Sequence, residues 1–192
     1  MDIFITKIHR ANNKKLADEL YLPCKQVLKD CDFHDTYKNG KTTFFNNKIL
    51  ENNEDFGKLY KYISSQIFLY ISDLDVDKKD LELNIKGSWV SEMYQNGDHG
   101  MHVHTNESLL SGNFYIHTPE NSGKLVFSRH EWMSDPFCLL RFNNPNSSNS
   151  IEWSFTPKKG DLYIWKSDLP HRVETNKNYS RIAISFNVGF NG

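Results

Sequence analysis

Cysteine is scarce in this chain, and the three present (Cys24, Cys31 and Cys138) show no Cys-x-x-Cys spacing. An odd, scattered set excludes a disulfide framework and a thiolate zinc site, and it points to a reduced, cytoplasmic setting. Long apolar runs are missing as well. The longest, Ile67 to Ile71, is too short to cross a bilayer. The first residues, Met1-Asp-Ile-Phe-Ile-Thr-Lys7, lack the apolar stretch and cleavage site of an export signal, so no membrane partner is expected. There is no excess of one charge: 23 Lys and Arg stand against 24 Asp and Glu, for a net charge of -1. That balance gives no general attraction to nucleic acid or acidic membranes. No internal repeat is visible, and the only low-complexity stretch is the polar tail Asn143 to Ser150.

What is present suits a packed core. Hydrophobic residues make up 38% of the 192 positions and aromatics 14%, which excludes wholesale disorder. The length fits a single domain over residues 1-192, divided into helical support over 1-79 and a catalytic core over 80-192. In the first part, Pro23 can open a short helix in which Cys24, Val27, Leu28 and Cys31 fall at helical spacing. A longer stripe follows at Phe56, Leu59, Tyr60, Ile63, Ile67, Tyr70 and Leu74. The polar residues 32-55 between them are expected to be loop.

From about residue 80 the pattern changes to short alternating runs: Leu81-Trp89, Met101-His104, Leu109-His117, Lys124-Ser128, Ile151-Phe155, Asp161-Trp165, His171-Glu174 and Arg181-Val188. Turn residues separate them, and this many short strands in one domain predict a mainly β jelly roll. The connection over 129-150 is long enough to be functional.

Eight histidines are the main chemical feature. His102 and His104 lie at i and i+2 of the second run, so both rings project from one strand face. His171 opens the seventh run and could complete a set of three ligands, which leaves open positions on a metal such as iron, zinc, copper or nickel. Arg181 heads the last run, where alternation puts it on one face with Ala183, Ser185 and Asn187, opposite Ile182, Ile184 and Phe186. An arginine aimed into a barrel requires an anionic partner, and its planar fork suits a dicarboxylate.

With these residues in view, the chain resembles the 2-oxoglutarate- and iron(II)-dependent oxygenases of the double-stranded β-helix (jelly-roll) fold. Within them it is similar to a group found in bacteria and their phages. The matching residues are Trp89, Gly97, His102-Val-His104, Ser111-Gly112 with Phe114-Tyr115, Gly160-Asp-Leu162, His171 and Arg181 to Asn187. The resemblance implies that His102 and His171 are iron ligands and that Arg181 anchors the far carboxylate of 2-oxoglutarate. Together with His104 these form the expected catalytic set. His104 stands where most of the superfamily has a carboxylate, and Glu107 is a nearby acid that could serve instead. Ala183 stands where many relatives have serine. The implied reaction is hydroxylation of a C–H bond with release of succinate and carbon dioxide.

Tyr115 is a candidate hydrogen-bond donor to the cosubstrate, as are Ser185 and Asn187 on the face of Arg181. His117 is a weaker candidate. His99 is expected in a solvated turn, and His9, His34 and His130 on the surface. Arg129, Trp132 and Arg141 sit on the long connection and are candidate substrate contacts. A three-histidine dioxygenase without cosubstrate and a non-catalytic jelly-roll binding module remain the alternatives. The substrate could be a small molecule, a peptide or a nucleotide, and an oligomer is possible.

Overall fold

The computed structural model describes residues 6-46, 48-76, 81-104, 108-129, 141-146 and 149-190. Two helices cover one face of a large antiparallel sheet, and a smaller sheet closes over the other. Helix α1 (Lys14–Leu28) begins at Asn13, whose side chain accepts a hydrogen bond from the Leu16 N–H at 3.1 Å. The helix therefore starts well before Pro23, which lies inside it. The reason is packing: Leu16, Leu20, Cys24 and Leu28 are all buried on one stripe. Their burial, roughly 1.5-3 kcal/mol for each large apolar side chain, outweighs the roughly 3 kcal/mol that an internal proline costs. Cys31 falls beyond the helix end, where its thiol donates to the Val27 carbonyl.

Helix α3 (Gly57–Asp73) matches the expected stripe and buries Leu59, Ile63, Ile67 and Tyr70. The polar stretch before it is not all loop. It holds strand β2 (Gly40–Thr42) and a single-turn helix α2 (Ile49–Asn52). With β1 (His9–Asn12), the N-terminal part thus adds two strands to the large sheet as well as helices. Segments this short carry no readable period and form because a neighbouring strand supplies their hydrogen bonds.

All eight expected strands are present: β3 (Leu83–Tyr94), β4 (His99–His102), β5 (Leu110–His117), β6 (Leu125–Ser128), β7 (Glu152–Phe155), β8 (Asp161–Lys166), β9 (His171–Val173) and β10 (Ser180–Phe190). The large sheet has the order β1-β8-β5-β10-β3-β2 and the small one β4-β9-β6-β7, which is the double-stranded β-helix arrangement. Strand β10 lies between β5 and β3. Its Ile182, Ile184, Phe186 and Val188 join the core packed on α1 and α3. Its alternate residues therefore face the small sheet. Gly160, at φ +83°, accepts a hydrogen bond from the Asn13 N–H and so ties the start of β8 to the cap of α1. Among the described residues, no helix is long and apolar enough to cross a membrane.

Candidate active site

Between the sheets lies a cleft of about 530 Å³, part of it continuous with solvent. Strands β4 and β9 bring two histidines to its wall, because their register pairs His102 with His171. The two ring centroids are 4.2 Å apart. His104 sits just past the end of β4, where its backbone N–H donates to the Ser167 carbonyl at 2.9 Å. The expected strand Met101-His104 is thus shifted toward the N-terminus, yet His104 still turns its ring to within 5.0 Å of His102 and 5.2 Å of His171. One ring nitrogen from each of the three lies within 4.8 Å of the others, so the group could hold a metal ion.

The protonation of these rings is set by their neighbours. His102 Nδ1 lies 2.8 Å from the Gly100 carbonyl, and His171 Nδ1 lies 2.9 Å from the Leu169 carbonyl. A carbonyl only accepts, so each Nδ1 carries the proton and donates it, which leaves the Nε2 lone pair free. Burial, reinforced by the neighbouring imidazoles, lowers the pKa of His171 to about 2 and that of His104 to about 4. Burial also lowers that of His102. All three rings are neutral at pH 7, the form in which imidazole binds a metal.

Arg181, Ala183, Ser185 and Asn187 all line the cleft, as the alternation of β10 predicts. Arg181 is 4% exposed, and its Nε and Nη2 have no hydrogen-bond partner among the described residues. Its guanidinium lies 5.0 Å over the ring of Tyr115, whose hydroxyl is likewise buried without a partner. No carboxylate lines the cleft among the described residues. Two buried guanidinium nitrogens and a hydroxyl left without hydrogen-bond partners are costly unless an anion joins them. The donor set therefore fits a group with a carboxylate at the Arg181 end and chelating oxygens at the histidine end. Ser185 and Asn187 both line the cleft, but the Asn187 amide is already engaged: its oxygen accepts from the Ser111 hydroxyl at 2.8 Å and its nitrogen lies 3.4 Å from Nδ1 of His104.

Several residues behave differently from their sequence expectations. His99 is not in a solvated turn. It opens β4, stacks on Tyr37 at 4.5 Å and lies 4.1 Å from the ring of His102. Burial lowers its pKa to about 3. His117 contacts Tyr21 of α1 at 5.6 Å and does not line the cleft. His9 is half-buried against Gln66, and His34 packs between Tyr37 and Phe45. Trp165 lines the cleft edge-on to His171 at 4.8 Å, and its indole N–H has no hydrogen-bond partner among the described residues. Tyr37 accepts a hydrogen bond from Trp89 Nε1 at 2.9 Å, and Phe44 meets Trp89 edge-on at 5.1 Å. These contacts come from a segment too polar to announce a cleft wall. Arg129 and Arg141 are described, while Glu107, His130 and Trp132 lie outside the described residues.

Residues 87–187 match a family model described as "Putative 2OG-Fe(II) oxygenase". Among solved structures, the chain is similar to a prolyl-4-hydroxylase from Pseudomonas putida, with TM-score 0.68 and 12% identity over 97% of this chain and 94% of that one. HygX from Streptomyces hygroscopicus, crystallised with nickel and 2-oxoglutarate, aligns with TM-score 0.61 and 9% identity over 96% and 83% of the two chains. The viral collagen prolyl hydroxylase vCPH from Paramecium Bursaria Chlorella virus-1, as its 2OG complex, gives TM-score 0.57 and 14% identity over 94% of each chain. No curated protein matches the sequence. At these identities the structural likenesses establish the shared fold.

Proposed function

The chain belongs to the 2OG-Fe(II) oxygenase family, with iron(II) and 2-oxoglutarate as metal and cosubstrate, and from that premise we propose that it hydroxylates a C–H bond of its substrate. The balanced reaction takes substrate, 2-oxoglutarate and dioxygen to hydroxylated substrate, succinate and carbon dioxide. His102, His104 and His171 would hold the iron through nitrogens whose lone pairs are free. Arg181 and Tyr115 would hold the far carboxylate of the cosubstrate. When bound, the metal and cosubstrate supply the oxidising chemistry.

The chain's own contribution is to bind, orient and shield. Arg181 offers two parallel N–H donors, a fork that fixes the direction of a carboxylate as well as its position. With Tyr115 it pins one end of the cosubstrate at the floor of the cleft, so that the keto acid end faces the histidines. The apolar walls around His171, made by Trp165 and Phe127, keep bulk water from that side. Three neutral imidazoles leave the metal's charge uncompensated, and the dianionic cosubstrate offsets it. The buried Arg181, whose Nε and Nη2 have no hydrogen-bond partner among the described residues, in the same cleft as the three histidines is the observation that carries this reading. It also favours the cosubstrate-dependent reaction over a three-histidine dioxygenase without cosubstrate, which gives that charge no partner.

The substrate would enter where His99, Tyr37 and Trp89 line the cleft. A small molecule or an extended peptide suits this aromatic wall. The free thiols of Cys24 and Cys31 accord with a reducing cytoplasm. Anaerobic titration of 2-oxoglutarate into iron-loaded protein, followed by the visible charge-transfer band, tests the cosubstrate. Oxygen-dependent succinate formation then tests turnover. Absence of both the band and succinate would remove the proposal.

A further inference from the structure

Among the described residues, a backbone carbonyl meets Nδ1 of His102 and of His171 but not that of His104. The amide nitrogen of Asn187 stands there instead, 3.4 Å away. The other end of the amide meets Ser111 Oγ at 2.8 Å. From Ser111 a line of hydroxyls continues: Ser111 to Ser167 at 2.8 Å, Ser167 to Ser108 at 2.8 Å, and Ser108 donating to the Leu110 carbonyl at 3.3 Å.

The structure shows the first of two senses in which such a chain can run; a half-turn of the Asn187 side-chain amide exchanges its oxygen and nitrogen and gives the second. In the first, Ser111 donates to the amide oxygen and the Asn187 N–H donates to His104 Nδ1. The neutral ring then holds its proton on Nε2, and that nitrogen cannot bind a metal. In the other sense, His104 Nδ1–H donates to the amide oxygen, and the Asn187 N–H donates to Ser111. The remaining hydroxyls donate onward to the Leu110 carbonyl. The line again ends on a group that can only accept, and Nε2 of His104 is now bare. This matches what Gly100 and Leu169 impose on His102 and His171.

We propose that Asn187, backed by Ser111, Ser167 and Ser108, is the positioning residue that fixes His104 in its ligand-competent tautomer, taking the place of the backbone carbonyls that serve the other two histidines. The proposal rests on the metal-site reading above. It gives Asn187 a role distinct from cosubstrate binding, and it explains how an imidazole can stand where a carboxylate is usual: a neutral ligand needs an external group to hold its proton on the far nitrogen.

The test is Mn(II) titration by calorimetry into the full-length apo chain, without cosubstrate, for wild type, Asn187→Ala and Asn187→Asp. Removing an outer hydrogen-bond partner of a ligating histidine weakens metal binding on the order of tenfold to a hundredfold, and this loss is expected for Asn187→Ala. Asn187→Asp keeps an acceptor at Nδ1 and should bind at least as tightly as wild type. In Zn(II)-loaded wild type, long-range ¹H–¹⁵N spectra should show the His104 proton on Nδ1. This measurement needs no variant and holds even if Asn187→Ala does not fold. Equal affinities for wild type and Asn187→Ala, an Asn187→Asp as weak as Asn187→Ala, or a proton on Nε2 of His104 would each overturn the assignment while leaving the metal site standing. A wild type that binds no metal would overturn both.

Discussion

His102 and His171 are direct cross-strand partners, one on β4 and one on β9, with ring centroids 4.2 Å apart. A metal held by both therefore clamps two strands of the small sheet, and binding should appear as stability.

With Mn(II) at a hundred times its dissociation constant, linkage gives about 2.7 kcal/mol. For a domain of this size that is a rise in Tm of roughly 5-11 °C. His102→Ala and His104→Ala should lose the rise, whereas His99→Ala should keep most of it. Thermal melts with and without Mn(II) check this. A His102→Ala protein that gains as much as wild type would remove His102 from the ligand set.

Arg181→Lys keeps the charge but loses the two-pronged fork. Charge-assisted hydrogen bonds contribute about 1.5-3 kcal/mol each, so the dissociation constant for 2-oxoglutarate should rise on the order of tenfold to a hundredfold. Metal affinity without cosubstrate should not change. Arg181→Met should abolish cosubstrate binding without lowering the Tm of the unliganded protein, because the buried guanidinium lacks partners at Nε and Nη2 among the described residues. Anaerobic titration and melting curves report the two effects separately.

Gly112 lies where β5 passes under the ring of Phe186. An added Cβ would collide with that ring and come within 2.7 Å of the Tyr163 carbonyl oxygen. Overpacking of this kind costs about 1-3 kcal/mol, and the carbonyl belongs to a neighbouring strand that cannot move alone. Gly112→Ala should lower the urea midpoint accordingly. An unchanged midpoint would show that the two strands separate more easily than their pairing suggests.

Glu92 is 2% exposed and takes hydrogen bonds from Lys25 at 2.8 Å, Ser180 at 2.6 Å and Tyr94 at 3.0 Å. Burial pushes its pKa up, but those hydrogen bonds and the Lys25 charge together outweigh burial and leave it below the ordinary carboxylate value. A pKa depressed in the folded state contributes stability that is present above the unfolded value, near 4.5, and is lost as pH falls through the folded one. Glu92→Gln should therefore melt lower than wild type at pH 7, with the gap narrowing below about pH 4.5. A gap independent of pH would assign the loss to packing alone.

The fold class was legible because strands with one face on a core must alternate. All eight β runs, the long helix α3 and the two faces of β10 follow from that rule and the helical period. His102, His104, His171 and Arg181 could be picked out as candidates because their patterns combine, and the structure brings all four to one cleft. What the sequence hid was short or local. β1 and β2 take their hydrogen bonds from β8 and β3, so nothing in their own residues announces a strand. α1 runs through Pro23 because its buried stripe is set by the sheet beneath it, not by propensity. His99 looked like a turn residue because its stacking partner, Tyr37, comes from a distant polar segment.

By itself, the sequence marked the candidate side chains and determined which face of each strand they occupy, since side-chain alternation is a property of the extended chain. Only the tertiary structure decided how those chemistries combine. The pairing of β4 with β9 puts His102 against His171, and the antiparallel register of β10 with β5 sets Ala183 beside Tyr115, on the same cleft-facing side as Arg181. The direct approach of Asn187 to His104, with a line of serines behind the amide, is likewise a matter of register. Hydrogen-bond partners and unpartnered charges are fixed by where separate strands meet, and a linear pattern cannot encode that meeting.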